Sequence, residues 1–342
     1  MKGELSHGLA WLYTEGNQIR RSDTGEATLL KGVNRSGLEY SAPEHGGFLE
    51  AAGLTCADLE TIIVGWGCNV IRVPFNQEWI LRGCGAHSAE SYRSALDQVI
   101  EWAATLGAYT ILDLQWLSNE TVYGHLNDGS ANYVPPLPNP ESIATWQLLA
   151  ERYCDEPAAL FDLFNEPHDR LADDPNPLWI VDERGQPHES DGYRVGSDQW
   201  VNWARRLIDT IHATSPRTQT LVSGVQWGYD LRGVEIESAS IIYSAHIYPD
   251  RPHWQWRDRF GFAGIDRPLF IGEWGGGDED VEWGARLLNF IQGRTCGWTA
   301  WSWVDHPHLV QNARNGDYTP TRFGELVRLA MQPDPTSDPS GL

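Results

Sequence analysis

Short apolar or β-branched runs alternate with longer amphipathic stretches along most of this chain. Runs at Thr28–Asn34, Asn69–Pro74, Tyr109–Leu114, Ala159–Phe164, Thr220–Ser223, Ile241–His246, Leu269–Gly272 and Trp298–Trp303 read as strands. Ala57–Trp66, Ala89–Leu106, Ser142–Tyr153, Ser197–Ala213, Val281–Ile291 and Thr321–Ala330 have the spacing of helices that bury one face, and the segments near 230–238 and 253–261 are weak versions of it. Near-continuous apolar strands separated by helices indicate a parallel sheet covered on its outside. Eight such strands close on themselves, so the pattern predicts a single-domain α/β protein, a (β/α)8 barrel over residues 28–331. Residues 1–27 form a lead-in, with Gly16–Leu30 as a small β-hairpin around the Asp23-Thr24-Gly25 turn. Residues 332–342, rich in Pro, Asp and Ser, read as a linker-like tail.

The strand-to-helix connections at 115–140 and 167–195 are long and carry Pro, Gly, Asp, Asn and aromatic residues. In such barrels these connections build the catalytic face, where they would wall a substrate groove. Two strand ends stand out. Leu163-Phe-Asn-Glu-Pro-His168 and Phe270-Ile-Gly-Glu-Trp-Gly-Gly276 each stop an apolar run on a glutamate and break the chain at once with Pro or Gly. A glutamate at a strand terminus is presented from a rigid support, and a pair of them, Glu166 and Glu273, is the equipment for cleaving a glycosidic bond by acid and nucleophile. Other strand ends add Asn34, Arg72, Gln115 with Trp116, Asn165, His246, Tyr248 and Trp301. A strand-end glutamate can equally be a helix cap or a surface ion pair, and Arg72 an anchor of the rim. A barrel bottom, by contrast, needs no such polar set.

Composition narrows the partners. Lys plus Arg total 25 against 47 Asp plus Glu, a formal net charge of −22, with lysine only at Lys2 and Lys31. Such a surface repels phosphate backbones and anionic headgroups, so neither nucleic acid nor membrane is expected as a partner. No apolar stretch is long enough to span a bilayer. The first residues lack the apolar core of a signal peptide; the expected location is outside the cell after loss of a leader, with the cytoplasm as the alternative. The five cysteines lack metal-binding spacing and read as small buried residues. The 17 tryptophans exceed what a core needs, and indole is a flat platform for the C–H faces of sugar rings. A monomer is expected.

The order Gly32-Val-Asn34, Ile71-Arg-Val-Pro74, Leu112-Asp-Leu114, Phe164-Asn-Glu-Pro167, His246-Ile-Tyr248, Ile271-Gly-Glu-Trp-Gly275 and Trp301-Ser-Trp303 resembles glycoside hydrolase family 5, over roughly Thr28 to Ala330. The resemblance implies a retaining β-glycosidase with Glu166 as acid/base and Glu273 as nucleophile, and no cofactor. It also implies Asn165 on the 2-hydroxyl of the sugar, Trp301 beneath the ring being cleaved, and a cis peptide between Trp301 and Ser302. Because Asn165 and Glu166 are adjacent, both can face one sugar only if the chain leaves regular extension there. Arg72 and the Tyr248 hydroxyl would favour an ionised Glu273. Two departures stand out: Gln115 occupies the position of the family's usual histidine, and Asp305-His306 replaces the Asp-Lys of many cellulases.

An endo-β-1,4-glucanase acting on β-glucan is the first reading. Mannan, xyloglucan or β-1,3-glucan as substrate, or an exo-β-glucosidase, share the same strand motifs. A sugar-binding protein that has lost catalysis is the alternative raised by Gln115. A metal-dependent barrel hydrolase would need His-x-His on the first strand or clustered carboxylates on middle strands, and the sequence has neither; no metal site is expected, His306-x-His308 being interrupted by Pro307. His45, His87, His168, His306 and His308 read as exposed or capping, Asp113 as a residue that orients loop backbone, and Glu39 with Tyr40 either as the lining of a neighbouring subsite or as plain surface.

Overall fold

A computed structural model of the chain describes residues 8–118, 124–125, 131–132, 134–171, 174, 176–238, 240–292 and 294–332. Eight parallel strands close into a barrel: β1 (Lys31–Asn34), β2 (Val70–Asn76), β3 (Tyr109–Trp116), β4 (Ala159–Asp162), β5 (Thr220–Ser223), β6 (Ile241–Ile247), β7 (Leu269–Trp274) and β8 (Gly297–Ala300). Sequential strands are neighbours throughout, and β8 pairs back onto β1.

Side chains that alternate along each strand explain how the barrel is filled. A lower inner layer consists of Leu30, Val70, Ile111, Leu160, Leu221, Ile242 and Phe270, all buried. Two residues further along the same strands, at the carboxyl end, stand Arg72, Asp113, Asp162 and Ser244, and Asn34 and His246 lie four beyond Leu30 and Ile242. The inward-facing positions thus change from apolar to polar between the bottom and the mouth. The helices cover the outside and meet the outward-facing strand residues in a larger core.

Local sequence ends the helices where expected. Ser88 caps Ala89–Thr105 through the Ser91 amide, Asn139 followed by Pro140 opens Pro140–Tyr153, and the Thr321 hydroxyl accepts from Gly324 to start Arg322–Met331. Ser197–His212 and Val281–Gln292 are two further long helices, and a shorter one, Gln77–Arg82, follows β2. The expected first helix is Cys56–Glu60 running into a π-turn at Thr61–Gly65. Among the described residues no helix links β5 to β6, and the weak segment after β6 is broken into short turns, His253–Gln255, Arg257–Gly261 and Ala263–Asp266.

The amino-terminal hairpin differs from its expectation. Its ladder joins Leu12–Glu15 to Gln18–Arg21, reversing at Gly16-Asn17. The Asp23-Thr24-Gly25 turn is a second reversal, bridged only at Arg20 and Ala27. Gly16 and Gly25 carry the two reversals, with φ +59 and +73, which glycine adopts without strain. Leu12 and Ile19 of the hairpin pack into the lower inner layer, and the Tyr109 hydroxyl donates to the Ala10 carbonyl at 2.7 Å, so the hairpin closes the bottom of the barrel. Residues 333–342 of the expected tail, and parts of the long connection after β3, lie outside the described residues.

Candidate active site

Arg72, fully buried on β2, is the hub of the mouth. Its Nη1 donates to Glu273 Oε1 at 2.8 Å and to Asn34 Oδ1 at 2.9 Å, its Nη2 to Asn165 Oδ1 at 2.9 Å, and its Nε to Asp162 Oδ2 at 2.9 Å. Asp113 adds an ion pair to Nη2 at 2.9 Å. Burial works against the guanidinium charge, but Asp113, Asp162 and Glu273 outweigh it and raise its pKa further. The same burial pushes the Asp113 carboxyl well above the usual range, with Arg72 opposing and Asp162 adding to the rise. Asp113 therefore belongs to this charged cluster and does not serve to orient loop backbone, as its sequence context suggested.

Glu273 is held on both oxygens, one by Arg72 and the other by the Tyr248 hydroxyl, which donates to Oε2 at 2.7 Å. Glu166 has a different setting. Its Oε1 lies 2.9 Å from His246 Nδ1, and burial raises its carboxyl pKa. Burial also pushes the His246 imidazole down to about 4, so at neutral pH it is uncharged and adds no positive charge to hold Glu166 ionised. One oxygen of Glu166, one of Glu273 and a ring nitrogen of His246 all lie within 4.8 Å of one another. Two carboxylates so close do not both ionise cheaply, and their surroundings differ in the sense that separates them.

Backbone irregularity brings these groups together. β4 ends at Asp162, so Asn165 and Glu166 lie beyond regular extension, and both reach inward, to Arg72 and His246. Glu273 follows the inward position of Gly272 and by strict alternation would face the helices. The β7 ladder slips against β8 between Ile271 and Trp274, and β6 slips against β7 between Ala245 and His246. These irregularities return Glu273 to the mouth, while Trp274 packs outside against Trp298 and Phe323. His246 is clamped by two glycines. A Cβ at Gly272 would lie 2.7 Å from its Nε2, and one at Gly228 (φ +69) would lie 2.8 Å from its Cγ.

The remaining predicted residues take supporting or lining places. Asn34 spends its amide hydrogens on the Gly272 and Thr299 carbonyls and its oxygen on Arg72, so it positions the guanidinium and has nothing left for a ligand. Gln115 is half-buried at the end of β3, and its Oε1 is buried without a hydrogen-bond partner. Trp116 is half-buried against Tyr40, ring centroids 5.8 Å apart. Trp301 is half-buried, and the Trp301–Ser302 peptide is cis. Tyr40 is pinned, donating to Asp305 Oδ1 at 2.6 Å and accepting from Arg314 at 2.9 Å. Glu39 is buried with Oε2 accepting from the Gly37 amide at 2.7 Å, and burial, with Asp305 nearby, pushes its carboxyl up to about 8.

Sequence reading missed three features. Asp162 was legible as the one charged residue inside an otherwise apolar strand. His168, read as exposed or capping, is buried, with Nδ1 2.6 Å from the Glu166 carbonyl and its ring stacked 3.6 Å from that of Trp227. The turn that presents Trp227 strings together left-handed residues Gln226, Trp227 and Gly228, and only the glycine gave a sequence signal for it.

Glu166, His246 and Glu273 are the one group among the described residues with metal-like spacing. The donor set fits a metal poorly, because both Glu273 oxygens are already engaged by Arg72 and Tyr248 and the adjacent guanidinium repels a cation.

Known proteins with this fold are numerous. An endoglucanase from Paenibacillus polymyxa is 23% identical over 343 residues, spanning 85% of this chain and 79% of that protein. One from Clostridium saccharobutylicum is 21% identical and spans 89% of this chain and 59% of that protein. The crystal structure of a beta-glucanase from Saccharophagus degradans in complex with cellotetraose superposes with a TM-score of 0.71 at 23% identity, covering 94% of this chain and 93% of that one, a likeness of fold. The sequence profile of the cellulases of glycosyl hydrolase family 5 matches residues 24–307, which is most of the chain, including both glutamates and the strand ends around them: the protein is a glycoside hydrolase and belongs to that family.

Proposed function

We propose that the chain is a retaining endo-β-1,4-glucanase that works by double displacement, with Glu273 as nucleophile and Glu166 as acid/base. The observation that carries this reading is the pair of carboxyl groups within 4.8 Å in opposite electrostatic settings. A spacing of about 5–5.5 Å leaves no room for a water between the second carboxylate and the anomeric carbon, so that carboxylate itself must attack. Glu273 accepts from a guanidinium on one oxygen and from a phenol on the other, which fixes its carboxylate for attack. Glu166, raised by burial beside an uncharged His246, is suited to hold a proton.

In the first step the Glu273 carboxylate forms a bond to the anomeric carbon as the glycosidic C–O bond breaks. The Glu166 proton passes to the departing oxygen. In the second step Glu166, now a base, takes a proton from water, which attacks the same carbon and releases Glu273. Asn165, its oxygen engaged by Arg72, offers amide hydrogens to the 2-hydroxyl, a contact that strengthens as charge develops on the ring. Trp301 supplies a platform for that ring, and Gln115, half-buried at the end of β3, carries no proton in the reaction. The β-1,4-glucan reading and the internal mode of cleavage draw on the endoglucanases among the relatives and on the beta-glucanase seen with cellotetraose. A polymeric substrate places the activity outside the cell. No helix among the described residues is long and apolar enough to cross a membrane.

The test compares neutral β-1,4-glucan, mannan, xyloglucan and β-1,3-glucan, with product sizing and chelator present throughout. Rapid loss of viscosity on β-1,4-glucan and retained anomeric configuration by proton NMR are expected. Glu273→Gln should lose at least ~10³-fold in kcat. Glu166→Ala should cost roughly 10²–10⁴-fold on unactivated glucan and far less on aryl glycosides with good leaving groups. Inverted product, or equal losses for Glu166→Ala on both substrate types, overturns the assignment.

A further inference from the structure

Of the 17 tryptophans, all of which lie within the described residues, 16 are buried or half-buried, and Trp254 alone is exposed, at 71%. It stands on the connection that leaves β6 at the carboxyl end of the barrel, the same end as the paired glutamates. That connection begins with Tyr248, which holds Glu273, and continues through Asp250 and Arg251, whose charges act on Glu166. The exposed ring is therefore a few residues along a loop that forms the wall of the site.

The ring is exposed by construction. Trp256, two residues on, is fully buried and its indole Nε1 donates to the Arg251 carbonyl at 3.1 Å, which closes the loop on itself. His253 packs edge-on between the two indoles, 5.4 Å from Trp254 and 6.3 Å from Trp256, and its Nδ1 is 3.4 Å from Arg286 Nη1 on the helix Val281–Gln292. Arg251 lies over the Tyr229 ring at 5.0 Å and ties the loop to its neighbour after β5. A braced loop with one indole inside and one outside leaves apolar surface in water, and that surface is stabilised only when something covers it.

We propose that Trp254 is a carbohydrate platform outside the catalytic cleft, taking the apolar face of a β-glucan segment whose continuation lies between Glu166 and Glu273. A glucan is the occupant that the position favours, because the platform is continuous with the wall of a site that, on the reading above, already binds this polymer. A pyranose ring presents a flat C–H face that matches indole, and a neutral ligand is indifferent to the acidic surface, which disfavours anionic partners. The inference rests on the glucanase reading and extends it from the reacting sugar to distant parts of the same chain.

The platform predicts a dependence on chain length. Trp254→Ala should leave kcat/KM on an aryl β-cellobioside unchanged, because Trp254 touches none of the reacting groups. On long neutral hydroxyethylcellulose its KM should rise roughly three- to tenfold, the loss of one stacking contact. Trp254→Phe should recover most of this. Binding of the full chain to amorphous cellulose, measured in a Glu273→Gln background so that turnover does not interfere, should weaken by the same factor. Equal binding and equal KM for Trp254→Ala overturn the proposal, as does an equal loss on the short and long substrates. A Trp254→Ala protein that sediments as a smaller species than the parent also overturns it and makes the ring a contact between copies of this chain. If the unsubstituted protein cleaves only the aryl glycoside and neither binds nor cleaves any long glucan, the substrate reading itself has failed, an outcome distinct from the others.

Discussion

Glu39 shows how much a single buried carboxyl can report. It is buried, and although the Glu39 and Gly37 amides and the charge of Arg35 favour its anion, burial outweighs them and places its titration at about 8. A carboxyl whose folded pKa is raised favours the native state while it stays protonated. Its contribution is complete below the unfolded value of about 4.3 and is lost as pH rises towards 8. Between those limits the native chain holds a proton that the unfolded chain has released, so this residue gives stability a downward slope with pH of up to ~1.4 kcal/mol per unit. Glu39→Gln removes the titration and keeps the shape. Chemical denaturation of the two proteins at pH 5, 6, 7 and 8 should show the variant gaining on the parent at each step, and parallel pH profiles would show that Glu39 is charged throughout. Acid/base behaviour of activity has the opposite origin, in Glu166. On the proposed mechanism its raised pKa sets the basic limb of the rate profile, and Glu166→Ala, assayed on an aryl glycoside with a good leaving group, should lose that limb.

At the scale of strands, the site is one cation shared by several elements. Arg72 of β2 touches Asn34 of β1, Asp113 of β3, Asp162 of β4, Asn165 just beyond β4 and Glu273 of β7. Replacing it with methionine fills the volume but leaves three buried carboxyls facing one another without a counter-charge. We expect Arg72→Met to destabilise the fold by about 3–5 kcal/mol at neutral pH and to recover part of that on acidification, as the carboxyls take up protons. Thermal unfolding followed from pH 8 to pH 5 tests this, and a variant as stable as the parent at pH 8 would show that the carboxyls are already largely neutral. Two of the strand ends that carry these groups were plainly legible in the sequence, because the runs that reach Glu166 and Glu273 stop on a glutamate and are followed by Pro or Gly. The direction of the side chains was less so. Alternation alone sends Glu273 to the outside, and only the slips between β6, β7 and β8 return it to the mouth. Such slips depend on how two strands pair across the sheet, which no single run of residues specifies. His168 escaped for a similar reason, since its burial is made by Trp227, 59 positions away along the chain.

For the whole molecule, the decisive quantity is charge. Acidic residues outnumber basic ones by 47 to 25, and the difference of 22 negative charges is spread over a single barrel. A neutral glucan approaches this surface without electrostatic work, whereas a carboxymethylated glucan must bring anions up to it. The repulsion acts between solvent-exposed charges, so it is screened over a Debye length of about 10 Å at 0.1 M salt and about 3 Å at 1 M. KM for carboxymethylcellulose should therefore fall several-fold between 10 mM and 500 mM sodium chloride, while KM for hydroxyethylcellulose of similar length stays level. The buried chemistry is shielded from this effect, because Arg72 and its partners lie inside the barrel where mobile ions do not reach, so kcat on both polymers should be insensitive to salt. Parallel changes in KM for the two polymers would instead point to a general effect of salt on the fold. A change in kcat on the neutral polymer would mean that the cleft itself admits ions.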